Sequence, residues 1–270
     1  MSQINRIDGG LIDQEKVLNF TFNGQILKGY EGDTLASALL ANNKHLIGRS
    51  FKYHRPRGIV TAGSEEPNAI MEIGNGAYKE PNTRATVTQL YNGLEANSQN
   101  HKGPLSFDFM AITDFLSPLL GAGFYYKTFM WPKAFWEKFY EPAIRKSAGL
   151  GTLSTEADPD TYDKGFRHCD ILIIGAGATG LSAALTAANS GAIIILADED
   201  FLMGGRLNSE TNEIDGMAGS EWAKKTVAKL SAMENVTLMT DTTVFGAYDH
   251  GIYGAIENRA SEAREDNDKP

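Results

Sequence analysis

A glycine-rich hexapeptide in the second half of the chain joins an apolar run to an alanine-rich stretch. It reads Gly175-Ala176-Gly177-Ala178-Thr179-Gly180. The G-x-G-x-x-G spacing is weak evidence alone, but between a strand and a helix it predicts a pyrophosphate-binding turn. Gly175 would allow the tight turn, Gly177 the close approach of a pyrophosphate, and Gly180 close packing of helix on strand. The helix start would add free amides and a positive dipole end.

An acidic residue stands where a dinucleotide site needs one. Asp198 ends the second apolar run, at about the 20-residue distance from the glycines typical of such folds. A carboxylate there accepts hydrogen bonds from the adenosine ribose and repels the 2′-phosphate of NADP. The sequence therefore predicts NAD, with FAD as an alternative. Glycines that serve only packing in a parallel α/β unit are the other interpretation.

A second glycine pair follows the acid. Gly204 and Gly205 precede Arg206 and Leu207. This pattern is common in oxidoreductases that bind two dinucleotides, and it would bring Gly205 and Arg206 near the ligand. An ordinary turn is the alternative.

The pattern of apolar residues and turns predicts two kinds of domain along the chain. Val17 to Gly29 predicts a hairpin that turns at Asn23-Gly24. A helix should begin near Leu35, capped by Asp33 or Thr34. Strand, glycine loop, helix and strand then follow from Cys169 onward. We therefore expect the fold class α/β and α+β.

The domain boundaries follow from composition. We expect an α+β domain at 1–89, a linker and aromatic-rich helical segment at 90–165, an incomplete Rossmann-type NAD/FAD-binding domain at 166–256, and a charged tail at 257–270.

Phe107 to Tyr140 holds twelve of the 26 aromatic residues. Such density predicts packing on a neighbouring domain or chain, because large apolar patches are rarely left in water. A local core is the alternative.

Composition excludes several classes of function. The net charge of −9 argues against nucleic-acid binding, which needs clustered Lys and Arg. The single cysteine, Cys169, cannot form a disulfide within the chain, a four-cysteine zinc site or a cysteine-ligated iron–sulfur cluster. Ile171 to Ala197 is uncharged, but its glycines indicate two strands around a helix rather than a membrane span. We expect a cytoplasmic protein without a membrane segment.

One basic cluster has an open interpretation. It comprises Arg49, Lys52, His54, Arg55 and Arg57 around Tyr53. The cluster is either an anion site or a solvated loop.

Several segments together resemble a known family. They are Asn23-Gly24, Gly32-Asp33-Thr34-Leu35, Arg49-Ser50-Phe51-Lys52-Tyr53-His54-Arg55-Pro56-Arg57-Gly58, Gly123-Phe124-Tyr125-Tyr126-Lys127-Thr128-Phe129, the glycine loop, Thr242-Thr243-Val244-Phe245-Gly246 and Tyr248-Asp249-His250. Spread over nearly the whole chain, they resemble the N-terminal part of the alpha subunit of heterotetrameric sarcosine oxidases.

The resemblance implies a 2Fe-2S-ferredoxin-like fold for the first domain. Relatives that carry a cluster place cysteines in the loop after Arg57-Gly58. Here Val60 to Ser64 and Pro67-Asn68 contain none. The domain should therefore be cluster-free.

The resemblance also implies cofactors and partners. The alpha subunit binds NAD, while flavin chemistry lies on the beta subunit and at the alpha–beta interface. Sarcosine is oxidatively demethylated to glycine there, and tetrahydrofolate accepts the one-carbon unit on the alpha subunit's C-terminal domain. The partners would be beta, gamma and delta subunits. By position, NAD contacts fall on Thr179, Asp198, Glu199, Asp200, Arg206 and Val244.

Family members continue several-fold beyond the equivalent of Pro270. We therefore expect a fragment or truncated gene, inactive alone. Two other hypotheses stay open: an FAD-binding subunit of another amine or amino-acid dehydrogenase complex, and a non-catalytic assembly module.

Overall fold

The computed structural model describes residues 3, 5–7, 10–127, 129, 131–147, 151–158 and 160–258. The chain divides into two compact units, Met1–Thr161 and Tyr162–Pro270, and each is described by itself.

The first unit is built on a mixed sheet. Its elements are β1 (Asp13–Phe22), β2 (Gln25–Glu31), α1 (Leu35–Ala41), β3 (Gly48–Arg49), β4 (Pro56–Arg57), β5 (Ile70–Ile73), β6 (Glu80–Arg84) and β7 (Glu95–Ser98). Five strands form the sheet in the order β2-β1-β7-β5-β6, in which only the β1–β7 pair is parallel. β3 and β4 pair separately. The buried core comprises Phe20, Leu35, Leu39, Ile47, Met71 and Leu94, among others.

The predicted hairpin and helix start are confirmed. Asn23 and Gly24 both have positive φ, as a type I′ turn requires. Thr34 caps α1: its hydroxyl accepts from the Ser37 amide at 3.1 Å, and the Ser37 hydroxyl accepts from the Thr34 amide at 3.0 Å. Asp33, the other candidate cap, is buried and pairs with Arg6 at 2.7 Å.

The predicted linker after residue 89 is wrong for Glu95–Ser98. These residues form β7, which lies in the middle of the sheet between β1 and β5. Only Ala96 of the strand is fully buried, and the other three residues are polar. The sequence therefore lacks the apolar alternation that predicts a strand.

Short helices follow in the aromatic-rich segment. They include α2 (Ile112–Phe115), α3 (Phe124–Lys127) and α4 (Glu141–Ser147). Some rings contact each other, such as Phe135 and Phe139 with centroids 5.1 Å apart. Phe115 and Trp131 nevertheless stay 87% and 84% exposed. The described part of the segment thus combines local ring contacts with exposed apolar side chains, and its packing on a neighbouring domain or chain stays a prediction.

The second unit contains a parallel sheet. Its elements are β8 (Ile171–Ile174), α5 (Ala178–Ala188), β9 (Ile194–Ala197), β10 (Glu213–Ile214), β11 (Met217–Ala218), α6 (Gly219–Ser231), β12 (Val236–Met239), β13 (Thr242–Tyr248) and β14 (Ile252–Glu257). The parallel strands lie in the order β12-β9-β8, with α5 and α6 as the connections. β10 pairs with β11, and β13 with β14, as antiparallel ribbons.

The two strands that we expected to be buried, β8 and β9, differ in burial. β9 is central and buried at every position, whereas β8 lies at the edge of the described sheet with Ile171 and Ile174 exposed. Their intervening helix is confirmed, and no described helix is both long and apolar enough to cross a bilayer. In the predicted charged tail, Glu257 ends β14 and Asn258 follows; the rest, 259–270, lies outside the described residues.

Candidate functional site

The glycine loop connects β8 directly to α5. Gly175 has φ of +94° and donates its amide to Ala197 O at 2.8 Å, which fixes the loop on β9. Gly177 precedes α5 with φ of −70°, and no side chain caps the helix. The first amides of a helix lack intrahelical acceptors, so Ala178 and Thr179 offer donors to a ligand.

The glycines of the loop have separate structural roles. A Cβ built on Gly180 would lie 1.8 Å from the carbonyl oxygen of Gly175, so this position requires glycine for the close contact between helix and loop. A Cβ built on Gly177 would meet nothing within 4 Å. The loop is therefore packed at Gly180 and open at Gly177, where a phosphate group would approach.

The second glycine pair lies against the first loop. The Gly204 amide donates to Ala176 O at 3.0 Å. A Cβ on Gly205 would lie 3.2 Å from the Cα of Gly177. The structure thus brings Gly205 to the loop, whereas the Arg206 guanidinium pairs with Glu210 and is well exposed.

Asp198 holds the loop in place. One carboxylate oxygen accepts from the Ala176 amide and the other from the Asp200 amide at 2.8 Å. The sequence predicts a ribose contact for Asp198 but gives no sign of this contact with the loop. A carboxylate has about four lone-pair positions, so ribose hydroxyls can still be accepted.

Acidic residues gather at the carboxyl ends of β9 and β12. Glu199 and Asp200 follow Asp198, and the Asp241 amide donates to Asp200 O at 3.1 Å. Asp241 was not among the predicted site residues, although its place after the third parallel strand was a usable signal. Val244 lies half-buried in β13, which joins this edge through the Thr242 amide to Asp198 O at 2.8 Å.

Burial changes the acidity of two of these groups. Burial, and then the nearby charge of Asp198, raises the pKa of Asp200 to about 6. Burial also raises the pKa of Asp241. The ionised form of Asp200 is therefore disfavoured in the folded protein.

We expect Asp200→Asn to stabilise the protein above pH 6. Because the folded-state pKa is raised, ionised Asp200 costs stability as pH rises from about 4 through 6. Each pKa unit corresponds to about 1.4 kcal/mol, so the gain in the free energy of unfolding has an upper limit of about 3 kcal/mol. Solvent screening should reduce this gain to about 1–2 kcal/mol. Urea unfolding at pH 8 and pH 4 measures the gain, which should vanish at pH 4. Asp163→Asn, at an exposed carboxylate, is the control, and an equal gain at both pH values would contradict the prediction.

Two residues of the basic cluster after Gly48, Arg49 and His54, are buried and bonded within the first unit, so they do not form an anion site. Arg49 is buried and donates to Leu105 O at 2.8 Å. His54 Nδ1 lies 2.6 Å from the buried Asp108, and Arg55 pairs with Asp114 at 2.7 Å. These three side chains hold the loop to the segment that follows β7.

Family models match both units. Residues 15–101 match a model described as a 2Fe-2S iron-sulfur cluster binding domain, and residues 170–259 one described as an FAD dependent oxidoreductase. The chain therefore has a ferredoxin-like N-terminal domain, as predicted, and a domain of the FAD-oxidoreductase type. A cysteine-ligated cluster does not fit the first domain, because residues 15–101 contain no cysteine. No group of three or more His, Cys, Asp or Glu suited to a metal occurs among the described residues.

The resemblance to sarcosine oxidase alpha subunits is confirmed. The chain is 58% identical to "Sarcosine oxidase subunit alpha" of Rhizobium meliloti (strain 1021) over 95% of its own length and 26% of that protein. The protein of the same name from Corynebacterium sp. (strain U-96) is 33% identical over 93% of this chain and 22% of its own length. The chain thus spans about a quarter of the length of these relatives.

A solved structure shares the fold. It is the L-proline dehydrogenase from P. horikoshii, with a TM-score of 0.52 and 18% identity, over 91% of this chain and 38% of that one.

Proposed function

We propose that this chain is the dinucleotide-binding N-terminal part of a sarcosine oxidase alpha subunit, and that its second unit binds NAD on a Rossmann-type strand–loop–helix. The observation that carries the proposal is the open face of the loop at Gly177, beside a helix start without a side-chain cap. Identity of 58% to a sarcosine oxidase alpha subunit supports the assignment to this enzyme class.

The residues of the loop fit a dinucleotide. The pyrophosphate would lie over Gly177 and accept hydrogen bonds from the amides of Ala178 and Thr179. Asp198 and Glu199 would accept from the adenosine ribose, and Val244 would lie near the adenine. NAD, when bound, supplies a centre that accepts or donates a hydride. The chain's own residues bind and orient that group.

FAD is the alternative ligand. The match of residues 170–259 to an FAD dependent oxidoreductase model favours it. Because FAD and NAD share the adenosine and pyrophosphate, the loop and Asp198 would serve either.

We also propose an activity for the whole enzyme. With flavin on a beta subunit, it would oxidatively demethylate sarcosine to glycine in the cytoplasm and pass the one-carbon unit to tetrahydrofolate bound by the C-terminal part of the alpha subunit. Gamma and delta subunits would complete the assembly. This chain alone would oxidise nothing. An FAD-binding subunit of another amine or amino-acid dehydrogenase remains the alternative enzyme.

The exposed aromatic surface favours a second role as an assembly module. Phe107, Phe109 and Phe115 are exposed in the first unit, and a partner subunit or later domain would cover them. If the protein bound a partner subunit but no dinucleotide, the assembly role would be supported and the dinucleotide-binding role would not.

We expect the protein to bind NAD at least about tenfold more tightly than NADP. The carboxylate of Asp198 would accept from the ribose 2′-hydroxyl but face a second negative charge in NADP. Losing a charge-assisted hydrogen bond costs roughly 1.5–3 kcal/mol, which is a tenfold to hundredfold loss of affinity. Calorimetric titration of NAD, NADP and FAD into the protein gives the three affinities.

Variants separate the role of Asp198 from general effects. Asp198→Ala should narrow the gap between NAD and NADP and weaken both, because it also removes the brace on the Ala176 amide. Glu234→Ala, at an exposed carboxylate in the same unit, should change neither affinity. Equal affinities for NAD and NADP in the wild type would show that Asp198 does not face the ribose. Tighter binding of FAD than NAD would select the alternative ligand.

A further inference from the structure

The loop between β4 and β5 belongs to a domain that matches a cluster-binding family, yet residues 15–101 contain no cysteine. We infer that the buried carboxylate of Glu66 replaces a metal cluster as the centre around which this loop, residues 58–69, folds. The domain would then fold without metal.

Glu66 accepts hydrogen bonds from residues at both ends of the loop. It is 2% exposed, and both carboxylate oxygens are used. Oε2 accepts from the Val60 amide at 2.8 Å, the Thr61 amide at 2.6 Å and the Thr61 hydroxyl at 3.2 Å. Oε1 accepts from the Asn68 amide at 2.7 Å and the Ala69 amide at 3.3 Å. One side chain thus satisfies donors from both ends of the loop.

The charge of Glu66 is part of the arrangement. Burial alone would raise the pKa of this carboxyl group. The amides of Thr61, Asn68 and Val60, with the Thr61 hydroxyl, outweigh burial and hold the pKa below its usual value. An anion surrounded by N–H and O–H donors is stabilised in its charged form.

The loop is also joined to the core of the first unit. The Thr86 hydroxyl donates to Gly63 O at 2.7 Å, and the Ala85 amide donates to Ala69 O at 2.8 Å. The Ala36 amide in α1 donates to Ala85 O at 2.9 Å. Disorder of the loop would therefore reach the sheet and α1.

The inference is tested by Glu66→Gln in the full chain, with Glu65→Gln as the matched control at an adjacent, exposed glutamate. At pH 7, Glu66→Gln should lower the folding equilibrium constant of the first unit at least tenfold, measured by urea unfolding. The amides of Val60, Thr61 and Asn68 should also lose hydrogen-exchange protection. Glu65→Gln should stay within twofold of the wild type. Glu66→Asp, which keeps the charge on a shorter side chain, should fall between the two and serves if Glu66→Gln does not fold.

The pH dependence and metal content complete the test. Because the pKa of Glu66 is lowered, its stabilisation is present above the ordinary value of 4.5 and is lost as pH falls through the lowered value. The difference between wild type and Glu66→Gln should therefore shrink from pH 7 to pH 3. Wild type incubated anaerobically with ferrous iron and sulfide should bind no stoichiometric iron and show no visible absorbance of a cluster. A stoichiometric cluster, or stability and protection of both Glu66 variants equal to those of Glu65→Gln, would overturn the inference.

Discussion

Gly177→Val should leave the protein folded and lower its dinucleotide affinity at least about a hundredfold. Gly177 has φ of −70°, which suits any residue, and a Cβ there meets no other atom within 4 Å. The valine side chain would instead fill the space over the loop and block the amides of Ala178 and Thr179. A loss of about 2.7 kcal/mol corresponds to this change, since each tenfold step is about 1.4 kcal/mol. Calorimetric titration measures the affinity, and circular dichroism with urea unfolding measures the fold.

A matched control exists in the same unit. Gly165 also has open space around a built Cβ and lies outside the loop, so Gly165→Val should keep wild-type affinity. Unchanged affinity in a folded Gly177→Val protein would show that the dinucleotide does not bind at this loop.

Gly180→Ala should unfold the second unit or weaken it severely. The added methyl group would lie 1.8 Å from the carbonyl oxygen of Gly175, which is backbone and cannot swing aside as a side chain would. Forcing one methyl group into well-packed structure typically costs 1–3 kcal/mol, and a backbone clash of this depth should cost at least about 3 kcal/mol. Hydrogen exchange of the β9 amides, with urea unfolding, reports the loss.

Gly177→Ala is the matched control for this second change. It adds the same methyl group to the same loop, where there is room, so its unfolding should follow the wild type. If Gly180→Ala and Gly177→Ala were equally stable, the close contact between α5 and the loop would not determine the fold of this unit.

Local chemistry made several features predictable from sequence. Asn23-Gly24 allows positive φ at both turn positions, and Thr34 is a residue type that caps helices. The glycines between β8 and β9 have the spacing of a tight turn from a strand into a helix, which is the structure found. These features depend on neighbours in sequence, which a pattern can show.

Features that depend on tertiary contacts were not predictable. β7 is central in the sheet, but its residues are mostly polar. Glu65 and Glu66 are identical in type, and only the fold makes the first exposed and the second buried. Arg49 is buried because distant carbonyl groups accept from it. The brace from Asp198 to the Ala176 amide likewise joins two elements that sequence separates.

The proposed function depends on binding of a dinucleotide pyrophosphate at the loop around Gly177. Titration of NAD into isotopically labelled protein, followed by the backbone amide resonances, tests it most directly. We expect the saturable shifts to be largest for the amides of Gly175, Gly177, Ala178 and Thr179. Saturation by NAD with these four amides unmoved, or the absence of binding by both NAD and FAD, would contradict it.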